Sequence, residues 1–168
     1  WQMLLDNHPS PLEIHQVSPE KAYIACLTDL EYLKVTGADR LDFLQGQMTC
    51  NFMDIEDQLL LGACCNLKGR ASATFYAFDN GSSTYLILPA GQAAYLKALL
   101  DKYIVFSNAA LSLPDADKVL VGLIGSSALV IASDLLSQND PLPQGSLCRV
   151  GEAERFLCLV NIETAKHW

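Results

Sequence analysis

Leu61-Gly-Ala-Cys-Cys-Asn-Leu-Lys-Gly-Arg70 is an apolar run that stops abruptly at a cationic turn. Leu59 to Cys65 reads as a buried strand, Lys68-Gly69-Arg70 reverses it, and Ala73 to Phe78 reads as the return strand. Glycine lets the backbone turn sharply or approach a ligand, while the flanking cations can meet carboxylate or phosphate groups. On spacing alone two readings stand side by side: an anion-binding turn, and a hairpin whose charges are merely solvated.

Working outward, Asn80-Gly81 signals a second tight turn before a strand over Thr84 to Leu88, which extends the hairpin into an antiparallel meander. Upstream, Tyr23 to Leu27 and Tyr32 to Val35 are short β-type runs expected to pair as a hairpin. Thr36 is expected to cap a helix with Asp39 as its third residue and Leu41, Leu44 and Met48 on the packed face. Asp39, Arg40, Asp42 and Gln45 are then expected in solvent.

Downstream, Tyr95, Leu96, Leu99, Leu100 and Tyr103 mark an amphipathic helix within Gly91 to Tyr103, followed by a strand from Val105 to Leu113. A strand over Lys118 to Ile124, a helix from Ser126 to about Leu136, a loop over Gln138 to Gly145, and strands near Leu147 to Val150 and Arg155 to Asn161 complete the pattern. Several turns are too tight for parallel crossovers, so the expected class is α+β, with antiparallel sheets covered by helices. The expected organisation is a lead-in over 1–20, one α/β unit over 21–113 and a second over 114–168. Trp1 at the start, and a helix from Ile162 that stops by Trp168, suggest part of a longer protein.

With 168 residues and 51% hydrophobic content, the chain is long enough to bury roughly two-thirds of its unfolded surface. A net charge of -8 opposes broad contact with phosphate backbones, so no direct nucleic-acid binding is expected. The six cysteines (Cys26, Cys50, Cys64, Cys65, Cys148, Cys158) form no C-x-x-C pair, and His8, His15 and His167 lie near the ends, so zinc or cluster-ligand spacing is absent. Free cysteines in apolar runs suit the cytoplasm or another reducing compartment. Val119 to Ile124 and Ala128 to Ala132 are too short to cross a bilayer, so no membrane partner is expected.

Other motifs carry less. Gly122-Leu-Ile-Gly125-Ser126 lacks both the dinucleotide and the phosphate-loop patterns. Ser107, Ser126 and Ser127 have no neighbouring histidine and acid, and Asp54, Glu56 and Asp57 sit in a polar linker where carboxylates are usually solvated.

Three segments in order, Thr36-Gly-Ala-Asp-Arg-Leu-Asp-Phe-Leu-Gln-Gly-Gln-Met-Thr49, Cys65-Asn-Leu-Lys-Gly-Arg70 and Lys102-Tyr-Ile-Val-Phe-Ser107, resemble the N-terminal region of the YgfZ folate-binding, tRNA-modifying family. That family is related to GcvT, the glycine-cleavage aminomethyltransferase. The resemblance implies a tetrahydrofolate ligand, with Asn66, Lys68, Gly69, Arg70, Phe75, Tyr76 and Phe106 as its binding residues: Lys68 or Arg70 suits the glutamate tail, and Phe75, Tyr76 or Phe106 suits an aromatic wall for the flat ring. It further implies iron–sulfur enzymes or their assembly proteins as partners, and tRNA modification as the downstream outcome.

The chain departs from the family in two places. Where the aminomethyltransferases carry a catalytic aspartate after the turn, this chain has Ala73 or Thr74; the Lys-Gly-Cys-Tyr-x-Gly-Gln-Glu signature of YgfZ is not found in it. The catalytic residues are therefore left unassigned. A folate-dependent one-carbon transferase and a non-catalytic interaction module stand as the alternative functions.

Overall fold

A computed structural model of the chain describes residues 21–55, 59–125, 127–128, 130, 147–150 and 155–166. They divide into two units, one over Asp29–Ala116 and one joining residues 21–28 to the described residues from Asp117 onward. Residues 21–28 belong with the unit that holds the C-terminal strands.

The first unit is a five-stranded sheet in the order β3-β4-β5-β2-β6. Its strands are β2 (Leu30–Thr36), β3 (Leu60–Cys65), β4 (Ala71–Asp79), β5 (Ser83–Pro89) and β6 (Ala110–Ser112), and every pairing is antiparallel. The meander expected from the two turns is present. Central β5 is buried on both faces, as its Thr84-Tyr-Leu-Ile-Leu88 run suits, while β4 alternates. One face carries Leu33, Val35, Phe75, Ala77, Leu86 and Leu88 into a core. Phe43 and Leu44 of α1 (Arg40–Gln47) and Leu96 and Leu100 of α2 (Ala93–Leu100) close it.

Helix α1 starts differently from its expected cap. Thr36 is the last residue of β2, Asp39 occupies the N-cap position, and the Asp39 carboxylate accepts the Asn108 N–H at 2.7 Å instead of capping the helix. Gly37 has a φ of 103° and passes so close to Asn108 that a Cβ would stand 2.2 Å from its carbonyl oxygen. Only glycine fits this crossing. The segment Val105 to Leu113 does not form one strand: a 3-10 turn over Ile104–Phe106 comes first, and only β6 pairs with β2.

The second unit is a four-stranded antiparallel sheet, β1-β7-β9-β8, built from β1 (Tyr23–Cys26), β7 (Lys118–Ile124), β8 (Leu147–Arg149) and β9 (Arg155–Asn161). Val119, Val121, Leu123, Phe156, Cys158 and Val160 form its core, and a short α3 (Ile162–Ala165) adds Ala165. β1 pairs with β7, with Tyr23 opposite Ile124, so the expected hairpin between Tyr23–Leu27 and Tyr32–Val35 does not form. The lead-in, most of the Ser126–Leu136 helix and the Gln138–Gly145 loop lie outside the described residues. No helix among the described residues is long and apolar enough to cross a membrane.

Candidate functional site

The cationic turn joins β3 to β4, and Asn66 holds it shut. Its side-chain oxygen accepts the N–H groups of Lys68 (2.9 Å) and Arg70 (3.1 Å), its own N–H donates to the Arg70 carbonyl, and the Gly69 N–H returns to the Asn66 carbonyl. Gly69 takes a φ of 73°, the left-handed conformation that closes so short a turn. Asn66, Leu67, Lys68, Gly69 and Arg70 are all exposed. Two cations are thus presented on a braced loop, a geometry suited to carboxylates or phosphates from solution.

Behind the turn, β3 and β4 present opposite chemistries on their two faces. Leu61 stands opposite Tyr76 and Ala63 opposite Thr74, and Leu61 (67% exposed) and Tyr76 (40%) leave an apolar, aromatic surface open. Phe75 points the other way, at 2% exposure, and its ring lies 6.4 Å from that of Phe52. As a ligand wall it is therefore unsuited, because period-2 alternation gives Phe75 and Tyr76 to opposite faces and the core claims Phe75. Phe106, 97% exposed on the 3-10 turn, makes no ring contact with Tyr76 or Phe75.

Next to the turn the ladder between β4 and β5 ends early. The Cys64 to Cys65 step on β3 faces the Ala73 to Ala71 step on β4, which leaves Ser72 as an extra, bulged residue. Beyond Tyr76 opposite Ile87, β5 offers β4 no further partner. The space between the strands is an open hollow of about 260 Å³ lined by Ala71, Ser72, Ala73, Thr74, Pro89 and Gln92. Sequence reading missed Gln92 and the strand edge; the one available sign was Pro89 at the end of a strand pattern, since proline cannot donate to a ladder.

Arg40 also departs from expectation. Instead of lying in solvent it donates from Nε and Nη2 to both Asp79 oxygens at 2.9 Å, and from Nη2 to the Gly81 carbonyl at 2.8 Å. Burial pushes the Asp79 carboxyl up, but the Arg40 and Thr84 hydrogen bonds and the Gly81 N–H outweigh it, and the net shift is downward. Gln45 likewise accepts the Phe52 N–H at 2.7 Å. Arg40 thus ties α1 to the turn between β4 and β5, and Gln45 ties it to the turn at Phe52.

No family model matches the chain. Among curated proteins it is 30% identical over 150 residues to the tRNA-modifying protein YgfZ of Yersinia pseudotuberculosis. It is 31% identical over 149 residues to that of Escherichia coli O127:H6, and each match covers 83% of this chain and 45% of the relative. Among solved structures, the glycine cleavage system aminomethyltransferase T of Bartonella henselae superposes with a TM-score of 0.71 at 17% identity, covering 88% of this chain and 44% of that one. The heterotetrameric sarcosine oxidase of Corynebacterium sp. U-96, in complex with pyrrole 2-carboxylate, gives 0.54 at 13% identity, covering 90% of this chain and 83% of that one. At such identities the two structures establish the fold alone: antiparallel sheets with few helices, in the arrangement of the aminomethyltransferases. The chain spans about half the length of the curated relatives it matches, and it belongs to the YgfZ family.

Proposed function

We propose that this chain is the folate-binding part of a YgfZ-type protein that supports tRNA modification by assisting the assembly or maintenance of iron–sulfur enzymes in the cytoplasm. The observation that carries the reading is the braced Asn66–Arg70 turn at the end of an open β3–β4 face. Lys68 and Arg70 suit the carboxylates of a folate's glutamate, and Tyr76 with Leu61 suits its flat rings. Tyr76 takes the place that the sequence shares between Phe75 and Tyr76. The partners in this reading are proteins, consistent with the net charge of -8.

One-carbon transfer finds less support. Of the two positions that follow the turn, Ala73 is buried and Thr74 carries no carboxylate, and the nearest acid on β4, Asp79, is held by Arg40. Calorimetry of the full protein with tetrahydrofolate tests the reading. Saturable binding weakened in Lys68→Ala and Arg70→Ala supports it, and no heat of binding with the intact protein removes it. Turnover of tetrahydrofolate with an aminomethyl donor would move the protein to the transferases.

A further inference from the structure

The turn between β4 and β5 places an asparagine amide against the backbone nitrogen that follows it. Asp79 pairs with Thr84 at the end of the ladder, and the Asn80 N–H donates to the Ser83 carbonyl at 3.0 Å, so Gly81 and Ser82 form the loop. Gly81 takes a φ of 84°, and a Cβ there would meet nothing within 4 Å. No side chain therefore screens the Gly81 nitrogen from the Asn80 side chain, and asparagine is among the residues most prone to spontaneous chemical change.

The turn also supplies a base and an oxyanion site. The Gly81 N–H donates to Asp79 Oδ1 at 2.7 Å, and Arg40 grips the same carboxylate and the Gly81 carbonyl, which fixes the acceptor beside the nitrogen. Burial pushes the Asp79 carboxyl up, but the Arg40, Thr84 and Gly81 hydrogen bonds hold it below its ordinary value, so it stays ionised at neutral pH. The Asn80 side-chain oxygen accepts from the Ser83 N–H at 2.8 Å, the Ser82 hydroxyl at 3.0 Å and the Ser82 N–H at 3.2 Å. Donors converging on one amide oxygen make its carbon more electrophilic and stabilise the negative charge that grows on the oxygen under attack. Gly81 and Ser82 are exposed and Asn80 is half-buried, so water reaches the turn.

We propose that Asn80 is a self-catalysed deamidation site, with Asp79 as the base and the Ser82 and Ser83 donors as the oxyanion site. The Gly81 nitrogen bonds to Asn80 Cγ and gives its proton to Asp79. The Cγ–Nδ2 bond then breaks, and Nδ2 takes that proton and leaves as ammonia, closing a succinimide. Water opens the ring: cleavage at Cγ gives aspartate, and cleavage at the Asn80 backbone carbonyl gives isoaspartate. The sum is amide and water to acid and ammonia, with no change of oxidation state. Aspartate keeps an oxygen for the Ser82 and Ser83 donors, whereas isoaspartate lengthens the backbone of a tight hairpin beside the Arg40–Asp79 pair.

The test ages the full protein in buffer and digests it with trypsin. The peptide Ala71–Lys97 holds Asn80 as its one asparagine, so its conversion to acid is read by mass and its isoaspartate by enzymatic methylation. The same peptide free in solution is the reference. The folded protein should convert Asn80 at least as fast as the free peptide. Its rate should be nearly flat from about pH 6 to about pH 8, because Asp79 is ionised throughout, while the peptide depends on hydroxide and gains about tenfold per pH unit. Asp79→Asn should slow conversion about tenfold and restore the pH dependence, and Ser82→Ala should slow it about three- to tenfold, the loss of one hydrogen bond to the oxyanion. Ser82 is exposed, so Ser82→Ala keeps the test valid if Asp79→Asn folds poorly. Intact Asn80 in the folded protein while the free peptide converts, or a wild-type rate in either variant that stays folded, overturns the proposal.

Discussion

Arg40 and Asp79, 39 residues apart in sequence, meet in a two-pronged ion pair that fastens the start of α1 to the hairpin between β4 and β5. Both side chains are largely buried, at 14% and 10% exposure, and the arginine's remaining bonds go to the Gly81 and Gly37 carbonyls. Arg40→Ala leaves a buried carboxylate without its partner and is expected to cost about 3 kcal/mol, read as a shift in the urea midpoint. Arg40→Lys keeps the charge but loses the fork, and should recover only part of that stability.

The same pair sets an acid sensitivity. The Asp79 carboxyl is lowered in the folded state, so its contribution is fully present above its unfolded value of 3.8 and is lost as the pH falls through the lower folded value. Urea melts between about pH 5 and pH 2 should therefore show a stability decline that is shallower in Asp79→Asn. An identical slope in wild type and variant would exclude Asp79 as a source of the acid response.

Two glycines with positive φ separate strain from crowding. At Gly69 a Cβ meets nothing within 4 Å, so Gly69→Ala should cost only the left-handed strain, about 1 kcal/mol. At Gly37 the same change adds contacts of 2.2 Å to the Asn108 carbonyl oxygen and 2.8 Å to the Ala109 Cα, both backbone atoms. Thermal melts should rank Gly37→Ala well below Gly69→Ala, and equal losses would mean that the crossing at Asn108 is not tight.

What could be read from the sequence divides along the range of the interactions. The β3–turn–β4–turn–β5 meander was legible because each strand is a local apolar pattern and each reversal carries its own glycine. The strand β1 was legible but its pairing was not, because Thr28-Asp-Leu-Glu31 resembles a hairpin turn, while the partner of Tyr23 is Ile124, beyond any local signal. Arg40, Asp39 and Gln45 looked solvated for the same reason: a helix pattern shows which face is polar, not which distant carboxylate or N–H will reach it. Within the site, the cationic turn was plain. The choice between Phe75 and Tyr76 required knowing which face of β4 meets Phe52.

That choice can be measured. Phe75→Ala empties a core position against Phe52 and should cost about 3–5 kcal/mol, whereas Tyr76→Ala removes a half-exposed ring and should cost under about 1 kcal/mol. For tetrahydrofolate affinity the order is reversed among variants that stay folded: Tyr76→Ala weakens binding, and the milder core change Phe75→Leu leaves it near wild type. If Phe75→Leu weakened binding as much as Tyr76→Ala at full folding, the ring wall would lie on the core side of the sheet.

The turn itself gives the last prediction. Lys68 and Arg70 are exposed and bonded only through their backbones, so replacing either by alanine should change stability by less than about 0.5 kcal/mol. Each charge-assisted contact to a ligand carboxylate is worth about 1.5–3 kcal/mol, which corresponds to roughly a ten- to hundredfold loss of tetrahydrofolate affinity. Asn66→Ala acts by another route: it frees the Lys68 and Arg70 N–H groups, loosens the turn and should cost about 1 kcal/mol of stability as well as affinity. Raising the salt should weaken wild-type binding and narrow its margin over Lys68→Ala and Arg70→Ala, because exposed charges are screened. Salt-independent binding would place the ligand's carboxylates elsewhere.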